Sequence, residues 1–196
     1  KIHKQTIFHK ILKYEKYNYN KYYKFSVIRD PVKKLISLYF YHINTINNLI
    51  EKKNLKTHQD GNWNIIYNLY KKYNIVDIYT FLDNYKTFYD NEIKPEIPKL
   101  KQYNKNKNMC FFYLVGYLPQ YLFLCDDNYN ILVNEIVNTD DIDTFLLNKF
   151  KINKINKLNT HKNTNDDYYK YASNDNINVI KEIYKNDYKY LFKNIM

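Results

Sequence analysis

Residues 22–42 read YYKFSVIRDPVKKLISLYFYH, an apolar run that stops at Arg29-Asp30-Pro31 and resumes with a different spacing. Lys24–Ile28 has the length and β-branched content of a strand. Val32, Leu35, Ile36, Tyr39, Phe40 and Ile43 then recur at i, i+3, i+4, i+7, i+8 and i+11, the spacing of one helix face. The stretch therefore predicts a strand running directly into a helix. Asp30 is placed to accept backbone N–H bonds as the N-cap, and Pro31 suits the first helical position, where its missing N–H costs nothing. Arg29 ends the strand, and Ser37 falls on the helix face shared with Lys33, Lys34 and Tyr41, off the apolar stripe. A guanidinium fork, a hydroxyl and an ammonium on one side can clamp a phosphate. The same residues also read as an Arg–Asp surface pair beside a solvated serine, and spacing alone leaves both readings open.

Upstream, Ile7, Phe8, Ile11 and Leu12 fit a short helix face, and Tyr14–Lys21 reads as a loop. Downstream, Ile65, Ile66, Leu69, Tyr70 and Tyr73 form a helical stripe, and Asp77 is placed to cap a further helix through Phe81, Leu82 and Tyr85. Pro95 and Pro98 interrupt, and the lysine- and asparagine-rich run after Leu100 predicts a loop. Phe111–Tyr117 fits a strand or the start of a buried helix. Ile131–Val137 reads as a second strand, followed by a helix capped by Thr139 or Asp140 and burying Ile142, Phe145 and Leu146. A polar loop over Lys157–Asp167 precedes a last helix with Ile177, Ile180, Tyr184, Tyr188 and Leu191 on one side. Two strand-to-helix units separated by helices predict an α/β fold with a parallel central sheet flanked by helices. In such sheets ligands sit at the carboxyl ends of the strands, which is where Arg29 falls.

The composition narrows the alternatives. The chain has 196 residues, enough for one domain with its own core over 1–196. Its apolar fraction of 45% includes 24 Tyr and 11 Phe, so aromatics and Ile must build that core. With 2 Gly and 4 Pro, an all-β sandwich with tight hairpins is disfavoured. The net charge of +11 favours anionic partners, among which nucleic acid, an anionic membrane surface, an acidic glycan and a phosphorylated cofactor all remain open. The Lys, Asn, Ile and Tyr bias matches AT-rich coding and discounts that charge as functional evidence. Cys110 and Cys125 form neither a disulfide framework nor a metal site and read as buried thiols. No apolar run approaches the ~20 residues that span a bilayer, so no membrane segment is expected within the chain.

The opening stretch resembles the 3′-phosphate-binding motif of the sulfotransferases that use 3′-phosphoadenosine 5′-phosphosulfate (PAPS), written loosely F-x-x-V-R-(D/N)-P-x-x-R-L-x-S-x-Y. Phe25, Ile28, Arg29, Asp30, Pro31, Leu35, Ser37 and Tyr39 stand in register, with Lys34 at the position that usually holds Arg. The likeness extends along the chain to the carbohydrate-directed, membrane-associated branch, family 2-like, and its bacterial relatives. Lys1-Ile2-His3-Lys4-Gln5-Thr6 is similar to a K-H-x-T segment, Leu118-Pro119-Gln120-Tyr121-Leu122 to a P-Q-x-x-(F/Y)-L element, and His161-Lys162-Asn163-Thr164 to an H-x-N-(K/S) loop. Ile131–Ile142 resembles a strand and acidic turn, with Asn134, Asn138 and Asp140 where the family tends to have Asp, Arg and Glu. Ile183-Tyr184-Lys185-Asn186-Asp187-Tyr188, with Phe192, matches a closing I-Y-x-x-D-x-x-x-F pattern.

The resemblance implies a P-loop-NTPase-like three-layer sulfotransferase fold. It implies transfer of a sulfuryl group from PAPS to a carbohydrate hydroxyl, with Arg29, Ser37 and Lys34 binding the cofactor and His3 as the catalytic base. His9 is a weaker candidate for that role because it shares a short helix with core residues, and His161 reads either as orienting a substrate or as a loop residue. The family's 5′-phosphosulfate loop, a strand followed by a Ser/Thr-containing turn and a helix, has no match in these residues. The expectation is thus an N-terminally incomplete domain in which that element belongs before Lys1 or has been lost. A glycan acceptor is the expected partner, in the Golgi lumen for a eukaryotic protein and in the cytoplasm for a bacterial or viral one. A degenerate, non-catalytic interaction domain is the alternative. A basic nucleic-acid-binding module is a further one, not favoured because no named binding motif is present and Tyr39, Tyr70 and Tyr184 lie on core stripes.

Overall fold

The computed structural model of the chain describes residues 22–51, 63–102, 114–152 and 167–192, of which 99–102 by backbone alone. The expected elements over Ile7–Leu12 and Tyr14–Lys21, most of the loops after Leu100 and Lys157, and the residues 111–113 lie outside them. In chain order the regular elements are β1 (Phe25–Ile28), α1 (Pro31–Glu51), α2 (Trp63–Lys72) and α3 (Ile78–Phe88). These are followed by α4 (Tyr121–Leu124), β2 (Glu135–Asn138), α5 (Ile142–Phe150), α6 (Asn174–Ile183) and α7 (Lys185–Tyr190). The class is α/β as expected, mostly helical, and among the described residues the parallel sheet has two strands. The described residues divide into two compact units, one within 22–30, 119–152 and 185–192, the other within 31–51, 63–102, 114–118 and 167–184.

In the first unit β1 and β2 run parallel, with Phe25 opposite Glu135 and Ile28 opposite Asn138. A parallel pair requires a long crossover rather than a hairpin, and here the intervening chain is residues 29–134. The Lys24 carbonyl extends the ladder by accepting from the amides of Asn134 and Glu135. One face of the pair buries Ile28 with Leu124, Leu191 and Phe192. At the other, Phe25 packs on Phe145 and Phe150 of α5, with ring centroids 5.0 and 5.6 Å apart.

The expected strand over Ile131–Val137 is shortened in the structure and begins only at Glu135. Asp126 is the reason: its Oδ1 accepts from the amides of Asn128 and Asn130, winding a turn that leaves Ile131 in an isolated antiparallel bridge with Cys125. Thr139 and Asp140 are not the cap of the next helix. Thr139 donates its hydroxyl to the Ile28 carbonyl, while the Asn138 side chain accepts from the Asp140 amide at the start of a 3₁₀ turn over Thr139–Asp141. Ile142, Phe145 and Leu146 are half-buried rather than buried. Cys125 is likewise half-buried, and burial pushes its thiol pKa up.

In the second unit α1 is the central helix, packing on α2, α3, α6 and a 3₁₀ turn over Tyr168–Tyr171. It runs to Glu51, beyond the last residue of the predicted stripe, and buries Val32, Leu35, Ile36, Tyr39, His42, Ile46 and Leu49. Phe40 and Ile43 are only half-buried, because the stripe turns toward His42 instead. Tyr39 stacks on Phe81 at 5.2 Å, and Phe81, Tyr85, Phe88, Tyr117 and Tyr184 are fully buried, so aromatics do build this core. Asp77 caps α3 as the sequence predicts: it accepts from the Thr80 amide, while the Thr80 hydroxyl accepts from the Asp77 amide. Beyond Phe88 the chain widens into a π turn, Tyr89–Ile93, and then tightens into a 3₁₀ segment, Lys94–Gln102. Pro95 and Pro98 cannot continue an α-helix, since each lacks the amide that the ladder requires. The last expected helix is two, interrupted at Tyr184, whose φ of −101° and ψ of 21° leave the helical region.

Candidate functional site

The strand end at Ile28-Arg29-Asp30 is held by side chains from three other places in its unit. Thr139 donates to the Ile28 carbonyl at 2.8 Å. The Arg29 amide donates to Gln120 Oε1 at 3.0 Å, and Gln120 Nε2 donates to the Arg29 carbonyl at 2.8 Å. The Tyr188 hydroxyl donates to the Asp30 carboxylate at 2.9 Å. Arg29 lies one residue past the last ladder pair, Ile28 with Asn138, so β2 supplies it no partner in that ladder. The Gln120 carboxamide, carrying one donor and one acceptor, takes over the role of a neighbouring strand at that residue.

Gln120 is itself fixed by Asp187. One carboxylate oxygen of Asp187 accepts from the Gln120 amide at 2.9 Å, and the other from the Tyr121 amide at 2.8 Å. Gln120 Nε2 lies a further 3.4 Å from Asp187 Oδ2. Asp187 is 0% exposed, and a carboxylate is tolerated at such depth only when hydrogen bonds replace its water. The Pro-Gln and Ile-Tyr-x-x-Asp patterns of the sequence thus meet at the strand end. Asp187 was legible only as part of a closing pattern, and its partner in space, 67 residues away at Gln120, gives no local signal.

The other expected site residues are placed as follows. Ser37 is half-buried on α1, two turns from its start. The Lys34 ammonium donates to the Leu118 carbonyl at 2.5 Å and lies 5.5 Å from the centre of the Tyr184 ring. Ser37 and Lys34 belong to the second unit and Arg29 to the first. His3, His9 and His161 lie outside the described residues. Asp30, expected as the N-cap of α1, carries the bond to Tyr188.

His42 escaped the sequence reading altogether. It is 5% exposed, its Nδ1 lies 2.8 Å from the Tyr117 hydroxyl, and the Trp63 ring stands edge-on to it at 5.5 Å. Burial drives its pKa down to about 3, so it is neutral at physiological pH and serves the core.

Among the described residues no group of His, Cys, Asp and Glu could hold a metal ion, and no helix is long and apolar enough to cross a membrane. The model of the sulfotransferase family matches residues 2–193, almost the whole chain, and the chain belongs to that family. No curated protein and no solved structure matches it significantly.

Proposed function

We propose that this member of the sulfotransferase family transfers a sulfuryl group from PAPS to a hydroxyl of a carbohydrate acceptor. When bound, PAPS supplies that group and leaves as adenosine 3′,5′-bisphosphate, its sulfur–oxygen bond breaking as a new one to the acceptor oxygen forms. The observation that carries the reading is the strand end itself. A strand stops at Arg29, whose backbone is pinned on both sides, and a helix bearing Lys34 and Ser37 starts two residues later within the matched span.

In this reading the Arg29 guanidinium would hold the 3′-phosphate through a charge-assisted fork, and the resemblance alone assigns the Ser37 hydroxyl as a further donor. Lys34 contributes charge, sharing an ammonium that already serves the Leu118 carbonyl. His3 takes the proton of the acceptor hydroxyl at a ring nitrogen. A histidine near its ordinary pKa suits that step, and general bases contribute about 10²- to 10⁴-fold. The P-loop-like three-layer arrangement and the carbohydrate acceptor belong to the same reading and rest on the likeness to the carbohydrate-directed branch.

The test is transfer of labelled sulfate from PAPS by the full chain to a panel of oligosaccharides. Labelling that requires an acceptor and falls by about 10²-fold or more in His3→Ala supports the assignment. Retained nucleotide binding with no transfer to any carbohydrate would favour a non-catalytic interaction domain.

A further inference from the structure

We propose that Gln120 and Asp187 are positioning residues for phosphate recognition, holding the end of β1 in the backbone geometry from which Arg29 grips the nucleotide. The proposal rests on the reading of Arg29 as the 3′-phosphate ligand and assigns a role to two residues that do not touch the phosphate.

The argument starts from where the ladder ends. Ile28 is the last paired residue of β1, and α1 begins at Pro31, so Arg29 and Asp30 form a two-residue connector. A connector outside regular structure is ordinarily the freest part of a chain. Here the Ile28 carbonyl, both backbone polar groups of Arg29 and the Asp30 carboxylate are all hydrogen-bonded by side chains distant in sequence. The direction of the Arg29 Cα–Cβ bond follows from that backbone. An arginine side chain is long, and a small backbone rotation at its root becomes a large displacement at its guanidinium.

Gln120 carries the most specific part of this arrangement. The carboxamide accepts from the Arg29 amide with its oxygen and donates to the Arg29 carbonyl with its nitrogen, which an ionised carboxylate or an apolar side chain of the same length cannot do. Glu could accept but not donate, and Leu could do neither. Asp187 completes the chain of restraint by accepting from the Gln120 amide and the Tyr121 amide, which fixes the root of the Gln120 side chain. Its complete burial limits the alternative partners water could offer. Misplacing a recognition group by about 1 Å can cost as much as 10²-fold, so a device that fixes the strand end has a functional consequence out of proportion to its two hydrogen bonds.

The experiment compares two probes in calorimetric titrations of the full chain: adenosine 3′,5′-bisphosphate and adenosine 5′-monophosphate, which lacks the 3′-phosphate. The wild-type chain is expected to prefer the bisphosphate. Gln120→Ala, and the isosteric Gln120→Glu should the first fail to fold, are expected to lose about 10-fold in bisphosphate affinity while monophosphate affinity stays put. Asp187→Asn is expected to shift the same preference in the same direction, and Gln120→Ala added to Arg29→Ala to cause no further loss. Hydrogen exchange at the Arg29 amide should quicken in Gln120→Ala. Equal weakening of both nucleotides would make the pair merely structural and overturn the proposal, as would an undiminished preference in both Gln120 variants. A preference undiminished by Arg29→Ala would instead overturn the Arg29 reading, and this proposal with it.

Discussion

The Nδ1 of His42 and the hydroxyl of Tyr117 meet at 2.8 Å in the aromatic core of the second unit, 75 residues apart in sequence. Tyr117 passes the contact on to Tyr70, whose hydroxyl lies 3.0 Å away. Burial holds the Tyr70 phenol pKa well above its ordinary value and lowers that of His42 from 6.5 to about 3, so the three side chains form a neutral network.

That network makes stability sensitive to acid. The unfolded chain binds a proton at His42 near pH 6.5 while the folded one resists until about 3, so stability is complete above 6.5 and falls as the pH drops through that window. The slope approaches about 1.4 kcal/mol per pH unit at its steepest. The carboxylates of Asp77, Asp90 and Glu92, held below the usual carboxylate range by hydrogen bonds from Thr80, from Lys86, and from Lys72 and Tyr73, act at the lower end. Urea unfolding at pH 7, 6 and 5 should show the loss, and His42→Asn, which keeps an acceptor near the Nδ1 position, should flatten it. An unchanged slope in His42→Asn would assign the acid sensitivity elsewhere.

A second relay ends on the same residue. The Tyr85 hydroxyl lies 2.5 Å from that of Tyr184, which donates to the Tyr117 carbonyl, and all three residues are fully buried. Tyr184→Phe leaves both the carbonyl and the Tyr85 hydroxyl buried without that partner, at about 1–3 kcal/mol for each stranded group. Tyr85→Phe removes only the outer donor and should cost about 1 kcal/mol. Equilibrium unfolding of the two variants should rank them in that order; the reverse ranking would contradict the direction of donation.

Gly116 is pressed against Leu38. A Cβ at Gly116 would lie 2.8 Å from one Leu38 methyl carbon and 2.9 Å from the other. The end of a leucine side chain can give way, so Gly116→Ala should be mildly destabilising, while Gly116→Val should cost about 1–3 kcal/mol through overpacking. Leu38→Ala in the Gly116→Val background should recover part of that loss. Thermal unfolding of the four proteins reads this directly, and an additive rather than compensating pair would contradict the contact.

How much of this was written locally differs from element to element. The β1-to-α1 junction was legible because Ile28-Arg29-Asp30-Pro31 carries its own stop signal and the following apolar residues keep a helical period. The Asp77 cap was legible because cap and partner are three residues apart. Ile131 and Leu132 read as strand because a short apolar run cannot report that Asp126 gathers the preceding amides into a turn. His42 was passed over because a histidine looks polar until Tyr117 and Trp63 close around it. The restraint of Arg29 by Gln120 and Asp187 was likewise out of reach, since it depends on three segments of the chain meeting in space.

The measurement closest to the central claim is the difference in affinity of the full chain for adenosine 3′,5′-bisphosphate and adenosine 5′-monophosphate, taken with and without Arg29. The account predicts that the wild-type chain prefers the bisphosphate and that Arg29→Ala erases about 10- to 150-fold of that preference, the worth of a hydrogen bond to a charged group. Ser37→Ala should take a smaller share. A wild-type chain indifferent to the 3′-phosphate, or an Arg29→Ala chain whose preference for it is undiminished, would contradict the account.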